Sequence, residues 1–188
     1  MTSYGKPLNH RYFNVCEVKN FEVHKKNLIN LIDKIPNTSR RTDREKLSHT
    51  DWALPETMKR EYIDYFIDNI YEDYASQLCR NFNCQRVKIN NIWFQKYNTG
   101  DFHKEHRHAE SHFTNVFYLQ LPEENLNTHV YDLNNQPIPI YIQEGDILTF
   151  PAFLSHESVV NKSKDSKIII SFNTTIDSGK INDKNKYV

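Results

Sequence analysis

The stretch HKEHRHAESH, residues 103–112, holds four of the chain's nine histidines. Imidazoles this close together form either a hydrated loop or the larger part of a metal site, and on spacing alone the two stand level. In an extended strand, residues two apart point to the same side. His106 and His108 can therefore offer two rings to one ion, and neutral imidazole suits Fe, Zn, Cu and Ni. A third ligand has to come from a neighbouring strand. His156, in EGDILTFPAFLSHESVVN, follows a strand that ends at Phe150-Pro151, and it lies 48 residues beyond His108. A barrel of short strands can return the chain beside its start over that distance. Two companion patterns tilt the balance toward the metal site: Y-x-x-G (Tyr97 to Gly100) ahead of H-x-H, and G-D-x-x-x-F-P-x-x-x-x-H from Gly145 to His156. His103 and His112 flank the pair as groups that support ligands more readily than they serve as ligands. His10, His24, His49 and His129 have no evident partner in the sequence.

Such a site needs a scaffold that brings residue 156 back to residue 106. In EVHKKNLINLIDKIP, apolar residues fall at helical spacing and Pro36 ends the run. A long amphipathic helix is predicted from Pro55, with Met58, Tyr62, Ile63, Phe66, Ile67, Ile70, Tyr74, Leu78 and Phe82 on one stripe. Between them, 37–54 is polar and turn-rich, and RYFNV is the one extended candidate before residue 22. After residue 84 the period changes. QRVKINNIWFQKYN and FTNVFYLQLP alternate, and THVYDL, IPIYIQ, DILTFP and KIIISFNTTI follow as short strands between turns. Helices first and strands afterwards predict an α+β, mainly β chain whose helices cover one face of an antiparallel barrel or sandwich. One domain is expected over 1–188, with helical support in 1–84, the strand core in 85–176 and a frayed tail in 177–188.

Taken together, YNTGDFHKEHRH and FPAFLSHESVVNKSKDSKIIISFN resemble the Fe(II)/2-oxoglutarate-dependent oxygenases. The similarity is greatest to the small prolyl-hydroxylase-like branch found in phages and marine bacteria, and it covers residues 86–176. It implies a double-stranded β-helix, a jelly roll with supporting helices before it. It further implies Fe(II) and 2-oxoglutarate as cofactors, O2 as co-reactant, and hydroxylation of a substrate coupled to decarboxylation of 2-oxoglutarate to succinate. By the resemblance, His106 takes the first iron position and His156 the distal one. Lys167 takes the place of the basic residue that pairs with the far carboxylate of 2-oxoglutarate, and Tyr97 that of the tyrosine lining the cosubstrate pocket. Read without the family, a lysine opening KIIISF after KSKDSK faces water more often than a barrel.

The pattern departs from the family at two places. The usual triad is two histidines and a carboxylate, and here His108 stands at the carboxylate position. The iron then has three imidazoles, or it recruits Asp101, Glu105 or Glu110. Ile169 stands where many relatives have a serine that hydrogen-bonds the cosubstrate; Ser171 and Asn173, on the same strand face as Lys167, are the partial substitutes. SHTDWALP, with Thr50-Asp51-Trp52 at its centre, also resembles that branch but carries no assigned role.

Two other functions share these residues. A cupin-type metalloenzyme with three histidines, a dioxygenase or isomerase, fits Gly100 six residues before H-R-H and Pro151 five before His156. It lacks the cupin glutamate, has Phe153 where the cupin glycine would stand, and needs neither Lys167 nor 2-oxoglutarate. A non-enzymatic jelly-roll module is the third. Charge narrows the partners: 24 Lys plus Arg balance 24 Asp plus Glu, so no net charge draws in nucleic acid or an acidic membrane. No apolar run is long enough to span a bilayer, and three unpatterned cysteines favour a reducing, cytoplasmic setting. The expected partner is a small molecule or a peptide.

Overall fold

The computed structural model describes residues 12–178, so His10 and the tail from 179 onward lie outside it. The N-terminal half forms β1 (Asn14–Glu17), α1 (Phe21–Ile32), β2 (Arg40–Arg41), β3 (Glu45–Leu47), β4 (His49–Thr50), α2 (Glu61–Phe66), a π turn (Ile67–Tyr71) and α3 (Glu72–Phe82). The rest is nearly all strand: β5 (Arg86–Tyr97), β6 (Phe102–His106), β7 (Phe113–Gln120), β8 (Thr128–Tyr131), β9 (Pro137–Ile138), β10 (Asp146–Pro151), β11 (His156–Ser158) and β12 (Lys167–Asp177). They build two six-stranded sheets, one in the order β1-β10-β7-β12-β5-β4 and the other β2-β3-β6-β11-β8-β9. Every pairing is antiparallel. This is the α+β, mainly β double-stranded β-helix expected from the change of period. Among the described residues no helix is long and apolar enough to cross a membrane.

The first sheet is the middle layer. Its outer-face residues, among them Phe94, Phe117, Ile168, Ile170 and Phe172, pack on Leu28, Tyr62, Phe66 and Tyr74 of the helices. Its inner-face residues, among them Tyr97, Val116, Tyr118, Phe150 and Ile169, pack toward Leu47 and Val130 of the second sheet. β7 is accordingly buried along almost its whole length, polar Thr114 and Asn115 included. Period-2 alternation then places Trp93, Gln95 and Tyr97 of β5, and Lys167, Ser171 and Asn173 of β12, between the sheets.

Three elements differ from expectation. The long helix begins at Glu61, not at Pro55, because Pro55 to Met58 close a turn, Met58 N–H donating to the Pro55 carbonyl at 3.0 Å. Its buried residues Tyr62, Phe66, Ile70, Tyr74 and Leu78 recur every fourth position. In an α-helix each such step over-rotates by about 40°; the π turn at its middle widens one turn and keeps the stripe on the sheet. The polar stretch 37–54 supplies β2, β3 and β4, so the sheets draw on both halves of the chain. From IPIYIQ only Ile138, the second residue of β9, pairs as a strand.

The SHTDWALP segment has a structural part here. Asp51, almost fully buried, accepts from Tyr62 Oη at 2.6 Å and from the Phe94 N–H at 2.9 Å, and pairs with Arg60 at 3.0 Å. It ties α2 to β5, and the next residue, Trp52, stands edge-to-face on Trp93 with ring centroids 4.6 Å apart. Asp51→Asn keeps the shape and removes the charge from these bonds. It should cost about 2 kcal/mol of stability, read as a lower urea midpoint with an unchanged slope.

Candidate metal centre

His106 closes β6 and His156 opens β11, and the two are direct partners across the strand pair. His108 lies two residues beyond the end of β6, so the expected strand presentation of H-x-H stops at His106. Its backbone N–H donates to the Ala152 carbonyl at 3.0 Å. Its side chain reaches the other sheet, where Nδ1 lies 2.7 Å from Asn173 Oδ1 and 3.1 Å from Thr114 Oγ1. The three rings converge: potential ligand atoms of His106, His108 and His156 all lie within 4.8 Å of one another. Among the described residues this is the one cluster of three or more potential metal ligands.

The hydrogen bonds decide the tautomers. His106 Nδ1 faces the Lys104 carbonyl at 2.8 Å, and His156 Nδ1 faces the Leu154 carbonyl at 3.1 Å. With His108 Nδ1 against an amide oxygen, all three rings carry their proton on Nδ1. Each Nε2 is left with a lone pair, the arrangement in which outer hydrogen bonds orient metal-binding imidazoles. Burial first, and the neighbouring imidazoles second, hold the set neutral: His106 is pushed down to about 4. His108 is lowered by burial, and His156 is pushed well down by burial and by His106. The donor set therefore fits a divalent transition metal without prior loss of a proton.

The candidate carboxylates are engaged elsewhere. Asp101 is buried, accepting from Ser48 Oγ at 2.5 Å and from the Asn98 N–H at 2.9 Å. Glu105 accepts from Ser155 Oγ, and Glu110 sits in an exposed turn at φ 63°. His103 stacks on His106 at 3.9 Å between centroids. His112 accepts from the Ile176 N–H at 3.1 Å, far from metal chemistry. His24 meets Tyr65 Oη, and His49 meets the Pro36 carbonyl.

Two chambers open from the histidine wall. The inner one runs between the sheets past Tyr97, Thr128, Ser158, Ile169 and Ser171. Lys167 does not line it but sits behind two residues that do, Ser158 and Tyr97, and is only 1 % exposed, in contrast to the water-facing position that its local sequence favours. Its Nζ donates to Ser158 Oγ at 2.8 Å and sits 5.1 Å from the Tyr97 ring centroid. Among the described residues no carboxylate pairs with it, and burial pushes its ammonium down to about 7. The free room is about 30 Å³, the share of one water. A five-carbon diacid thus enters only if side chains turn, and the Lys167–Ser158 bond is the one that must part. Ser171 lines this chamber and donates to Gln95 Oε1 at 3.2 Å. Asn173, expected beside the cosubstrate, is instead committed to His108, Thr114 and Asn91. The outer chamber, about 220 Å³, is walled by Arg40, Glu45, Trp52, Trp93 and Gln95. Of these only Trp52 was named in the sequence, within SHTDWALP and without a role, although the alternation of β5 aligns Trp93 and Gln95 with Tyr97.

Residues 91–173 match the model of a family described as "Putative 2OG-Fe(II) oxygenase". No curated protein matches the chain. Solved structures share the fold at low identity. An oxidoreductase of the 2OG-Fe(II) oxygenase family from Burkholderia pseudomallei is 10 % identical, with 92 % of this chain and 88 % of that one covered, at a TM-score of 0.68. The viral collagen prolyl hydroxylase of Paramecium Bursaria Chlorella virus-1, in complex with 2OG, is 17 % identical over 88 % of this chain and 97 % of that one, at 0.58. A prolyl hydroxylase from Trichoplax adhaerens, bound to a hypoxia inducible factor peptide fragment, is 14 % identical over 89 % and 85 %, at 0.62.

Proposed function

Since its strand core, residues 91–173, matches the 2OG-Fe(II) oxygenase family model, we propose that the chain is a 2-oxoglutarate-dependent hydroxylase whose iron is held by His106, His108 and His156. The observation that carries this reading is Lys167: a buried lysine with no carboxylate partner among the described residues, held by Ser158, which lines the chamber that starts at three Nε2 lone pairs. An unpaired buried charge is costly, and a cosubstrate carboxylate is the partner that would repay it. Bound iron would supply the coupling of 2-oxoglutarate, O2 and a C–H bond: one oxygen atom goes to the alcohol and the other to succinate, with CO2 released and 2-oxoglutarate providing two electrons.

The chain's own residues do the positioning. Asn173, Lys104 and Leu154 hold the three rings by their Nδ1 protons. Lys167 takes the far carboxylate, with Tyr97 and Ser171 along the same path. The sheets and the apolar side chains of Val116 and Ile169 keep water from the reacting centre. The test is anaerobic addition of Fe(II) and 2-oxoglutarate, followed by O2: a visible charge-transfer band and then succinate are expected. A metal-loaded protein that ignores 2-oxoglutarate would favour the cupin-type enzyme, which a three-imidazole set also suits.

Affinity for 2-oxoglutarate should depend on pH through Lys167. Its free-state value near 7 comes from burial, and a carboxylate beside it favours the charged form. Below pH 7 the ammonium is already present. Above it, binding must take up a proton, so affinity should fall about tenfold per pH unit until the complex itself deprotonates. Calorimetry at pH 6.5, 7.5 and 8.5 in buffers of different ionisation enthalpy checks both the slope and the proton uptake; a flat profile would contradict it.

A further inference from the structure

The outer chamber holds a charge pair that the fold leaves half used. Arg40 of β2 donates from its terminal nitrogen to Glu45 Oε1 of β3 at 2.7 Å, with a third of the Arg40 side chain and a tenth of Glu45 exposed. The remaining guanidinium N–H groups have no carboxylate other than Glu45 within ion-pair range among the described residues. The other carboxylate oxygen lies 3.6 Å from His103 Nε2, too far for a hydrogen bond. One cation and one anion, each with bonding capacity to spare, thus stand side by side on the wall of a chamber shared with the metal-binding histidines.

The opposite wall is aromatic. Trp93 is buried, and Trp52 is half exposed at the mouth. The chamber's 220 Å³ holds about seven waters at roughly 30 Å³ each, the size of one small metabolite and too small for a length of folded chain. A ligand that meets all three features carries a carboxylate and an ammonium on the same carbon or nearly so, with a compact apolar body. The carboxylate would take the free fork of Arg40, the ammonium would take Glu45 Oε2, and the apolar C–H groups would lie on the tryptophan faces, directed toward the histidines.

We propose that the substrate is a free zwitterionic amino acid with a small apolar side chain, held by Arg40 and Glu45 against Trp52 and Trp93. This rests on the oxygenase reading above and names the substrate class for the same site. A residue within a peptide lacks both charges, so it would leave the Arg40–Glu45 pair without recognition to perform. Apart from Trp93 of β5, the specificity determinants lie in β2 and β3 and after β4, in the polar segment between α1 and α2.

The chain has only two tryptophans, and both line this chamber. Their emission therefore reports its occupancy independently of turnover. The experiment uses protein loaded with Zn(II), which has no redox chemistry, and with 2-oxoglutarate, whose binding is first measured by calorimetry. Free L-proline, L-valine, L-leucine and L-isoleucine are titrated, each beside its N-acetyl amide. At least one free amino acid should change the emission saturably at submillimolar concentration, its amide should bind at least tenfold more weakly, and Arg40→Gln should lose that preference. Trp52→Ala should weaken the binding and remove part of the signal. Amides that bind as well as the free acids, no response to any free acid at millimolar concentration, or an unchanged preference in Arg40→Gln would each overturn the proposal. If the calorimetry finds 2-oxoglutarate bound in those cases, only the substrate class falls; if it finds none, the oxygenase reading falls with it. Arg40 lies at the surface, and its variant's unfolding midpoint separates loss of recognition from loss of fold.

Discussion

Lys167→Met should bind 2-oxoglutarate more weakly by about 2–5 kcal/mol, roughly 30-fold to several thousand-fold, while metal affinity stays within a factor of about two. Methionine keeps much of the stem and removes the ammonium. In the ligand-free protein that ammonium has one neutral partner, Ser158, and a tyrosine face, with no carboxylate among the described residues. The native side chain is therefore held at a cost that only an anion recovers. The substitution should consequently leave the unfolding midpoint unchanged or raise it, the trade of stability for function expected at a site built for a ligand. Loss of affinity together with undiminished stability cannot be misfolding. The measurement is an anaerobic titration of the Fe(II) protein, followed by its charge-transfer band. Equal affinity in the two proteins would make Lys167 a structural residue and move the cupin-type enzyme ahead.

The second large effect belongs to the metal. His156→Ala should lower affinity for Zn(II) or Fe(II) by more than about 100-fold, since it removes a ligand and not merely a hydrogen bond to one. Asn173→Ala leaves all three imidazoles in place and removes the amide oxygen that fixes the His108 tautomer. Its loss should lie within the range of about 10–100-fold seen when such outer partners are removed. Competition against a chromophoric chelator ranks wild type, Asn173→Ala and His156→Ala in that order. Wild-type affinity in His156→Ala would mean that the rings converge without binding.

The sequence signals that proved legible were the regular ones. Alternation over 86–97 and 113–120 placed two strands of the middle sheet, and burial of that sheet on both faces is why even Thr114 and Asn115 are buried in the second of them. The run from Gly145 to His156 encoded a strand, a turn and a histidine in the order found. Short polar pieces were not legible. β2, β3 and β4 are two or three residues long, too short for a period, and their pairing is decided by neighbours distant in sequence. The outer chamber escaped for that reason, since Arg40 and Glu45 come from such pieces. The place of Asn173 could not be read from its own strand, because its partner His108 arrives from the opposite sheet after β6 has ended. Helix periodicity gave the stripe of α2 and α3 but not its start, which Asp51 and the Pro55 turn displace.

That His108 is anchored across the gap has a further consequence. His106 and His156 belong to one sheet, whereas His108 is secured through Asn173 to β12 of the other. An ion gripped by all three would act as a transverse rivet between the two layers, coupling their separation to occupancy. Because such an ion binds the folded chain and not the unfolded one, a hundredfold excess over its dissociation constant would add about 2.7 kcal/mol to the folding free energy. The open edge of the sandwich, where Trp52 stands, would then be tightest when the reaction centre is charged and loosest when it is stripped. Metal supply would set not only whether the centre can react but how long the protein that carries it endures.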